Sequence, residues 1–172
     1  GTALKGAARG QRILWWDFGA QSGLNVGAGT GTPQLLIESV GGVNVFAHLP
    51  GNWAEVSLEH VVGTNPDVIV VADSVGNTAQ ARIEQARTDP ALSQLRAVRE
   101  NRFIVIPFSE TTSGVRLLDG ARRLADRVRA QAPWAAPYLP HTGPIISGET
   151  VEPPSHGAAR PQTTTTQKDT PA

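Results

Sequence analysis

Residues 41–73, GGVNVFAHLPGNWAEVSLEHVVGTNPDVIVVAD, decide the fold class. They read as loop, short strand, capped helix and buried strand. Ser57 stands as an N-cap before Leu58-Glu59-His60-Val61-Val62, because its hydroxyl can accept from an unpaired amide of the first turn. Gly63 and Asn65-Pro66 are expected to stop this helix: glycine accepts a left-handed conformation, and the residue before proline avoids the α region. Asp67-Val68-Ile69-Val70-Val71-Ala72 is then a nearly unbroken apolar run rich in β-branched residues. That pattern fits a strand covered on both faces, as in a parallel sheet. A capped helix leading into such a strand reads as α/β.

Upstream, Arg12-Ile13-Leu14-Trp15-Trp16-Asp17 gives a second strand whose apolar side chains point to both faces, so it belongs in the middle of the sheet. Asp17 and Phe18 fall at its carboxyl end. Ligands of open α/β sheets bind beyond the carboxyl ends of the strands, which makes both residues candidate ligand contacts. Trp53 follows the turn-forming Pro50-Gly51 and is expected outside the deep core, where an indole can stack on a large flat ligand. The segment from Asn44 to Asn52 reads as irregular.

Downstream, Asn77 is expected to cap a polar helix from Thr78 to Arg87, and Asp89-Pro90 to open a short helix from Ala91 to Leu95. A polar turn, Arg99 to Arg102, precedes the last strand, Phe103 to Ile106. The loop from Pro107 to Ser113 then lies at the same end of the sheet, with Phe108, Glu110 and Arg116 as further candidate contacts. Helix 115–129 is amphipathic, presenting Leu117, Leu118, Ala121, Leu124, Ala125 and Val128 on one face. Ala3 to Arg9 reads as the end of a helix stopped by Gly10, or as a disordered start. From Gln131 onward prolines multiply, and Thr163 to Thr166 is a homopolymer, so residues 131–172 read as irregular to disordered.

Gly27-Ala28-Gly29-Thr30-Gly31-Thr32-Pro33 resembles a phosphate-cradling loop, since closely spaced glycines free backbone amides for an anion. No Lys-Ser/Thr pair follows, and the run begins roughly ten residues beyond the strand, whereas the dinucleotide fingerprint follows its strand directly. A small nucleotide-binding enzyme domain using Gly27–Gly31 is therefore the alternative reading. The simpler one makes Thr32 the N-cap and Pro33 the first residue of a helix over 34–40, closed by Gly41-Gly42.

Composition removes several function classes. The 172 residues carry 15 basic and 15 acidic side chains, so no basic footprint points to nucleic acid. There is no cysteine, which excludes disulfides and thiolate metal sites. A Gly-x-Ser-x-Gly nucleophile elbow is absent. Of the four histidines, His48, His60, His141 and His156, only the first two lie in the probable domain and neither shares a helix face with another ligand, so no protein metal site is expected.

Taken in order, Gly41-Gly42-Val43-Asn44-Val45-Phe46, Trp53, Val56-Ser57-Leu58-Glu59 and Asn65-Pro66-Asp67-Val68-Ile69 resemble one family. So do Ala97-Val98-Arg99-Glu100-Asn101-Arg102, Phe103-Ile104-Val105-Ile106-Pro107 and Gly114-Val115-Arg116-Leu117-Leu118-Asp119-Gly120. This is the C-terminal lobe of the substrate-binding proteins of ABC importers for cobalamin, iron–siderophores and haem. The resemblance runs from about Arg12 to Val128 and implies a three-layer, Rossmann-like lobe over 12–130 with a mainly parallel sheet of about four or five strands. It implies no enzymatic activity and no cofactor, the ligand being a metal chelate. Residues 1–11 would be the end of an inter-lobe helix, and a missing N-terminal lobe would clamp the ligand from the other side. Trp53 would line the cleft, and Glu59 would pair with arginines of the membrane permease. The location implied is periplasmic or otherwise extracytoplasmic, peripheral to the membrane.

Overall fold

The computed structural model describes residues 4, 6–19, 23–112 and 114–131. The tail expected over 131–172 lies, but for Gln131, outside the described residues, as do parts of the N-terminal helix expected over 3–9. At the amino end Ala7 and Ala8 are buried, and Gly10 turns the chain with φ +72° before the first strand.

The centre of the molecule is a six-stranded sheet. Its strands are β1 (Arg12–Gly19), β2 (Leu24–Gly27), β3 (Val43–Asn44), β4 (Trp53–Val56), β5 (Val68–Asp73) and β6 (Phe103–Pro107). The order is β4-β2-β1-β5-β6, and β3 pairs with the start of β1. β3, β5 and β6 run parallel to their neighbours, whereas β2 pairs antiparallel with both β1 and β4. The helices are α1 (Thr32–Ser39), α2 (Leu58–Thr64), α3 (Ala79–Thr88), α4 (Arg96–Arg99) and α5 (Leu117–Gln131). The architecture is the α/β one expected, with more strands and two antiparallel pairings.

Alternation along the strands builds two cores, because successive side chains of a strand point to opposite faces. Ile13, Trp15, Val68, Val70, Ile104 and Ile106 meet Leu36 and Ile37 of α1 and Ala121, Leu124 and Val128 of α5. Leu14, Trp16, Ile69, Val71 and Phe103 face the other way, against Val61 of α2, Ala79, Ile83 and Ala86 of α3, and Val98 of α4. Helices thus cover both faces, giving three layers. The apolar runs of β1 and β5 are nearly continuous because neither strand has a wet side.

Local signals held in part. The Ser57 hydroxyl accepts the His60 amide at 3.2 Å, as an N-cap should. Gly63 does not stop α2; it lies inside the helix, and Asn65 ends it in the left-handed region at φ 42° ahead of Pro66. The cap of α1 is Gly31, extended and without a side-chain bond, so Thr32 is already helical. The cap of α3 is Thr78, whose hydroxyl accepts from Ala81 N at 3.3 Å, in place of Asn77. Asp89 opens a single 3₁₀ turn, Leu92–Gln94, by accepting the Ala91 and Leu92 amides, and α4 follows separately.

One short strand is expected ahead of the capped helix, where the structure has two, Val43–Asn44 and Trp53–Val56, and Leu24–Gly27 was not anticipated. Leu24–Gly27 and Trp53–Val56 are four residues each, too short for a clear period-two signal, and Trp53, expected outside the deep core, begins a strand.

Candidate functional site

Three adjacent parallel strands end together. The register pairs Trp16 with Val71 and Asp73 with Pro107, so Asp17-Phe18, Asp73-Ser74 and Pro107-Phe108 share one rim. Phe18 and Phe108 are 43% and 40% exposed at this rim, and Val75 projects fully from the loop after β5. Their two strands stand two positions apart, a span of about 10 Å. Exposed aromatic faces at the carboxyl ends of parallel strands form a surface that can take a flat, partly apolar ligand.

Beneath them lies a buried charge pair. Asp17 is 2% exposed, and burial pushes its carboxyl up to about 6, with the Arg82 guanidinium opposing. Arg82, on α3, is 3% exposed. Its Nη2 donates to the carbonyls of Ala72 and Asn77, while Nε and Nη1 find no hydrogen-bond partner among the described residues. Burial pulls its pKa below the ordinary range, and the charges of Asp17 and Asp73 offset part of that. Asp73 in turn accepts the Ala79 amide at 2.7 Å, tying the end of β5 to the start of α3.

Arg82 was missed in the sequence because helix 78–87 reads as polar. A signal was present: Ala79, Arg82, Ile83 and Ala86 fall at i, i+3, i+4 and i+7, one face of a helix, and all four are buried.

The remaining expected contacts are placed as follows. Glu110 is buried in the 3₁₀ turn Phe108–Glu110, and Arg123 of α5 grips it through two bonds of 2.7 and 2.8 Å. That forked pair holds the Glu110 carboxyl below its usual range, with a weaker contribution from the nearby charge of Arg116, which is exposed. Glu110 therefore already has a strong partner and pins the loop after β6 to α5. A groove of about 410 Å³ runs from Glu110 along α5 between Asp119, Arg122, Arg123, Asp126 and Arg127. Its lining residues are all of charged types, with none of the aromatic or aliphatic side chains that a large chelate needs.

Trp53 does not share the rim. It pairs with Gly27, which follows Val26, the partner of Trp16; Trp53 thus enters β4 below the strand ends and packs, half-buried, against the α1–α5 core. Three residues later Val56 pairs with Leu24, itself opposite Gly19, so the chain reaches rim level as it enters α2. Glu59 sits there, exposed, in the first turn of α2. Because β4 and β6 are the two edges of the sheet, Glu59 and Phe108 belong to opposite ends of the rim.

The glycine run is not an anion cradle. The amides of Ala28, Gly29 and Thr30 donate to the carbonyls of Asn52, Leu49 and Gly51, so none points outward for a phosphate. A Cβ on Gly29 would collide with the Ala47 carbonyl, which explains the glycine by close backbone packing.

The fold agrees with the comparisons. Residues 3–110 match the family model described as periplasmic binding protein, and the chain belongs to that family. Among solved structures it is similar to a periplasmic binding protein from Veillonella parvula, with 31% identity over 75% of this chain and 45% of the other, and a TM-score of 0.64. It is also similar to a protein of an ABC-type Fe3+-hydroxamate transport system from Saccharomonospora viridis (24% identity, 73% and 44% covered, TM-score 0.63). A periplasmic vitamin B12 binding protein of Vibrio cholerae shares the fold at 19% identity, with 73% and 46% covered and a TM-score of 0.56. The chain spans less than half the length of these three proteins. No curated protein matches it. Family members are substrate-binding proteins of transport systems, not enzymes.

Proposed function

We propose that this chain acts as the C-terminal lobe of a substrate-binding protein of an ABC importer, receiving a metal chelate of the iron–siderophore or cobalamin class. The observation that carries this reading is the level ending of β1, β5 and β6, which sets Phe18 and Phe108 exposed on one rim above the buried Asp17. Phe18 and Phe108 would supply stacking area and Arg116 an exposed charge. Asp17 and Glu110 would support this surface from beneath, and Trp53 would touch a ligand only where it overlaps the β4 edge. Glu59 would dock the permease through charge-assisted pairing with arginine, a geometry suited to fixing register. An N-terminal lobe would close the other side of the cleft, in an extracytoplasmic compartment. With three amides of the glycine run already bonded, nothing favours the nucleotide-binding alternative.

The test is a titration of the full chain with cyanocobalamin, a ferric hydroxamate and haemin, following tryptophan emission with inner-filter correction. Saturable binding of one of them, weakened roughly tenfold or more by Phe18→Ala with Phe108→Ala, is expected from the loss of stacking area. A folded chain that binds none of the three, or one that binds equally well without both phenylalanines, would overturn the rim as a ligand surface. Glu59→Ala should leave this titration unchanged.

A further inference from the structure

Two of the four histidines, far from each other in sequence, meet on the surface beside the start of α2. His48 lies in the turn between β3 and β4, His60 in the first turn of α2, and both are exposed. Their ring centroids are 6.1 Å apart with planes inclined at 48°. We propose that His48 and His60 form a two-imidazole site for a borderline d-block dication such as Zn2+, Ni2+ or Cu2+, with water completing its shell.

Distance, rigidity and chemistry each support the pair. With metal–nitrogen bonds of about 2.0–2.1 Å, the ring centres of two imidazoles on one tetrahedral ion stand roughly 5 Å apart, so the pair at 6.1 Å needs to close by only about 1 Å through side-chain rotation. Neither histidine hangs on a free loop. The turn carrying His48 is closed by the Leu49 amide on the Phe46 carbonyl at 3.0 Å, and the Gly29 amide holds the Leu49 carbonyl at 3.0 Å. His60 is fixed through its own amide on the Ser57 hydroxyl at 3.2 Å. Beside both of them Phe46, fully buried, meets the His60 ring edge-on at 5.2 Å and the His48 ring at 6.2 Å, so one wall limits the motion of both.

Imidazole nitrogen is a borderline donor, which selects the later first-row dications over Ca2+ or Mg2+. The described residues hold no group of three such ligands, so this is an open site with exchangeable positions and not a closed structural one. The ion meant here is a free aqueous dication. The proposal does not depend on chelate binding at the rim.

The clean experiment uses the full-length chain with His141→Ala and His156→Ala, which leaves His48 and His60 as its only histidines. Ni2+, Zn2+ and Cu2+ are titrated calorimetrically at pH 7.5, and thermal unfolding is followed with and without metal. One ion per chain, tightest for Cu2+, a rise in Tm reversed by EDTA, and a roughly ten- to hundredfold weakening on adding either His48→Ala or His60→Ala are expected from losing one arm of a chelate. No binding in the two-histidine chain, or equal binding after removal of either residue, would reduce the pair to an aromatic cover on Phe46.

Discussion

The sheet has a centre and a wing, and the wing adds close backbone seams to the buried side chains that both share. The centre, β1 with β5 and β6, coheres through side chains: Ile13, Trp15, Val68 and Val70 on one face, Leu14, Trp16, Ile69 and Val71 on the other, all fully or almost fully buried. The wing, β2 with β4 and the segments at 28–31 and 45–52, also buries side chains, Leu24, Val26, Phe46 and Val56, and adds close backbone seams to them. Ala28, Gly29 and Thr30 donate to carbonyls at 49–52, and the buried Asn44 amide reaches the Gly27 carbonyl and the Gln34 side chain while its oxygen accepts the Phe46 amide. A region that coheres through side chains tolerates volume-conserving exchange. A backbone seam such as the one at Gly29 leaves no room for an added atom.

Gly29→Ala is the harshest test of that contrast. The new Cβ meets the Ala47 carbonyl head-on and lies 3.0 Å from the Leu49 carbonyl. Neither oxygen is the end of a flexible side chain, so the two segments must part. A loss of roughly 3 kcal/mol is expected, read as a fall in the urea midpoint at constant m-value. A loss of less than about 1 kcal/mol, within the range of an ordinary surface change, would show that the seam yields and that the wing is not held as described.

The same division explains what could be read in the sequence. β5 was legible because burial on both faces writes an unbroken Val-Ile-Val-Val run, and β1 for the same reason. Ser57 was legible because a cap is a local device. The wing left a weaker trace: Leu24-Asn25-Val26-Gly27 is four residues long, and the amides and glycines of its seams carry no hydropathy signal. Trp53 reads only as a residue outside the deep core, since its strand is defined by a partner distant in sequence, Gly27. The rim was half legible. Asp17, Phe18 and Phe108 follow from knowing where strands end, but Arg82 beneath them required seeing that a mostly polar helix buries one arginine on its apolar stripe. The meeting of His48 with His60 depends on how a turn packs against a helix, which spacing along a chain does not encode.

Within the centre, the charged corner gives an effect of intermediate size. Asp17 has a folded pKa of about 6 against an ordinary 3.8, so it binds its proton more tightly folded than unfolded. The advantage it gives the folded state is therefore present below the ordinary value and lost as pH rises through 6. Glu110, held low by Arg123, has the opposite sign: its contribution is present above its ordinary value and lost only in acid. Between pH 5 and pH 8 the Asp17 effect stands alone of these two. Asp17→Asn, which keeps the shape without the charge, should be more stable than the parent at pH 8 by on the order of 1–3 kcal/mol, a gap that narrows at pH 5. Urea midpoints at the two pH values decide it. A variant less stable than the parent at pH 8 would mean that the Arg82 attraction outweighs the cost of burial.

The smallest effect is the sharpest control on the wing. Gly63 lies inside α2, just beyond β4, exposed and with nothing within 4 Å of an added Cβ. Its backbone is helical, so alanine fits without strain and reduces only the freedom of the unfolded chain. Gly63→Ala should therefore stabilise by about 0.4–1 kcal/mol, opposite in sign to Gly29→Ala although the atoms added are identical. Opposite signs in matched urea titrations would assign the fragility of the wing to contact between backbones. Should both substitutions destabilise, the glycines around β4 would be needed for flexibility instead, and the steric account of the wing would fail at Gly29 as well.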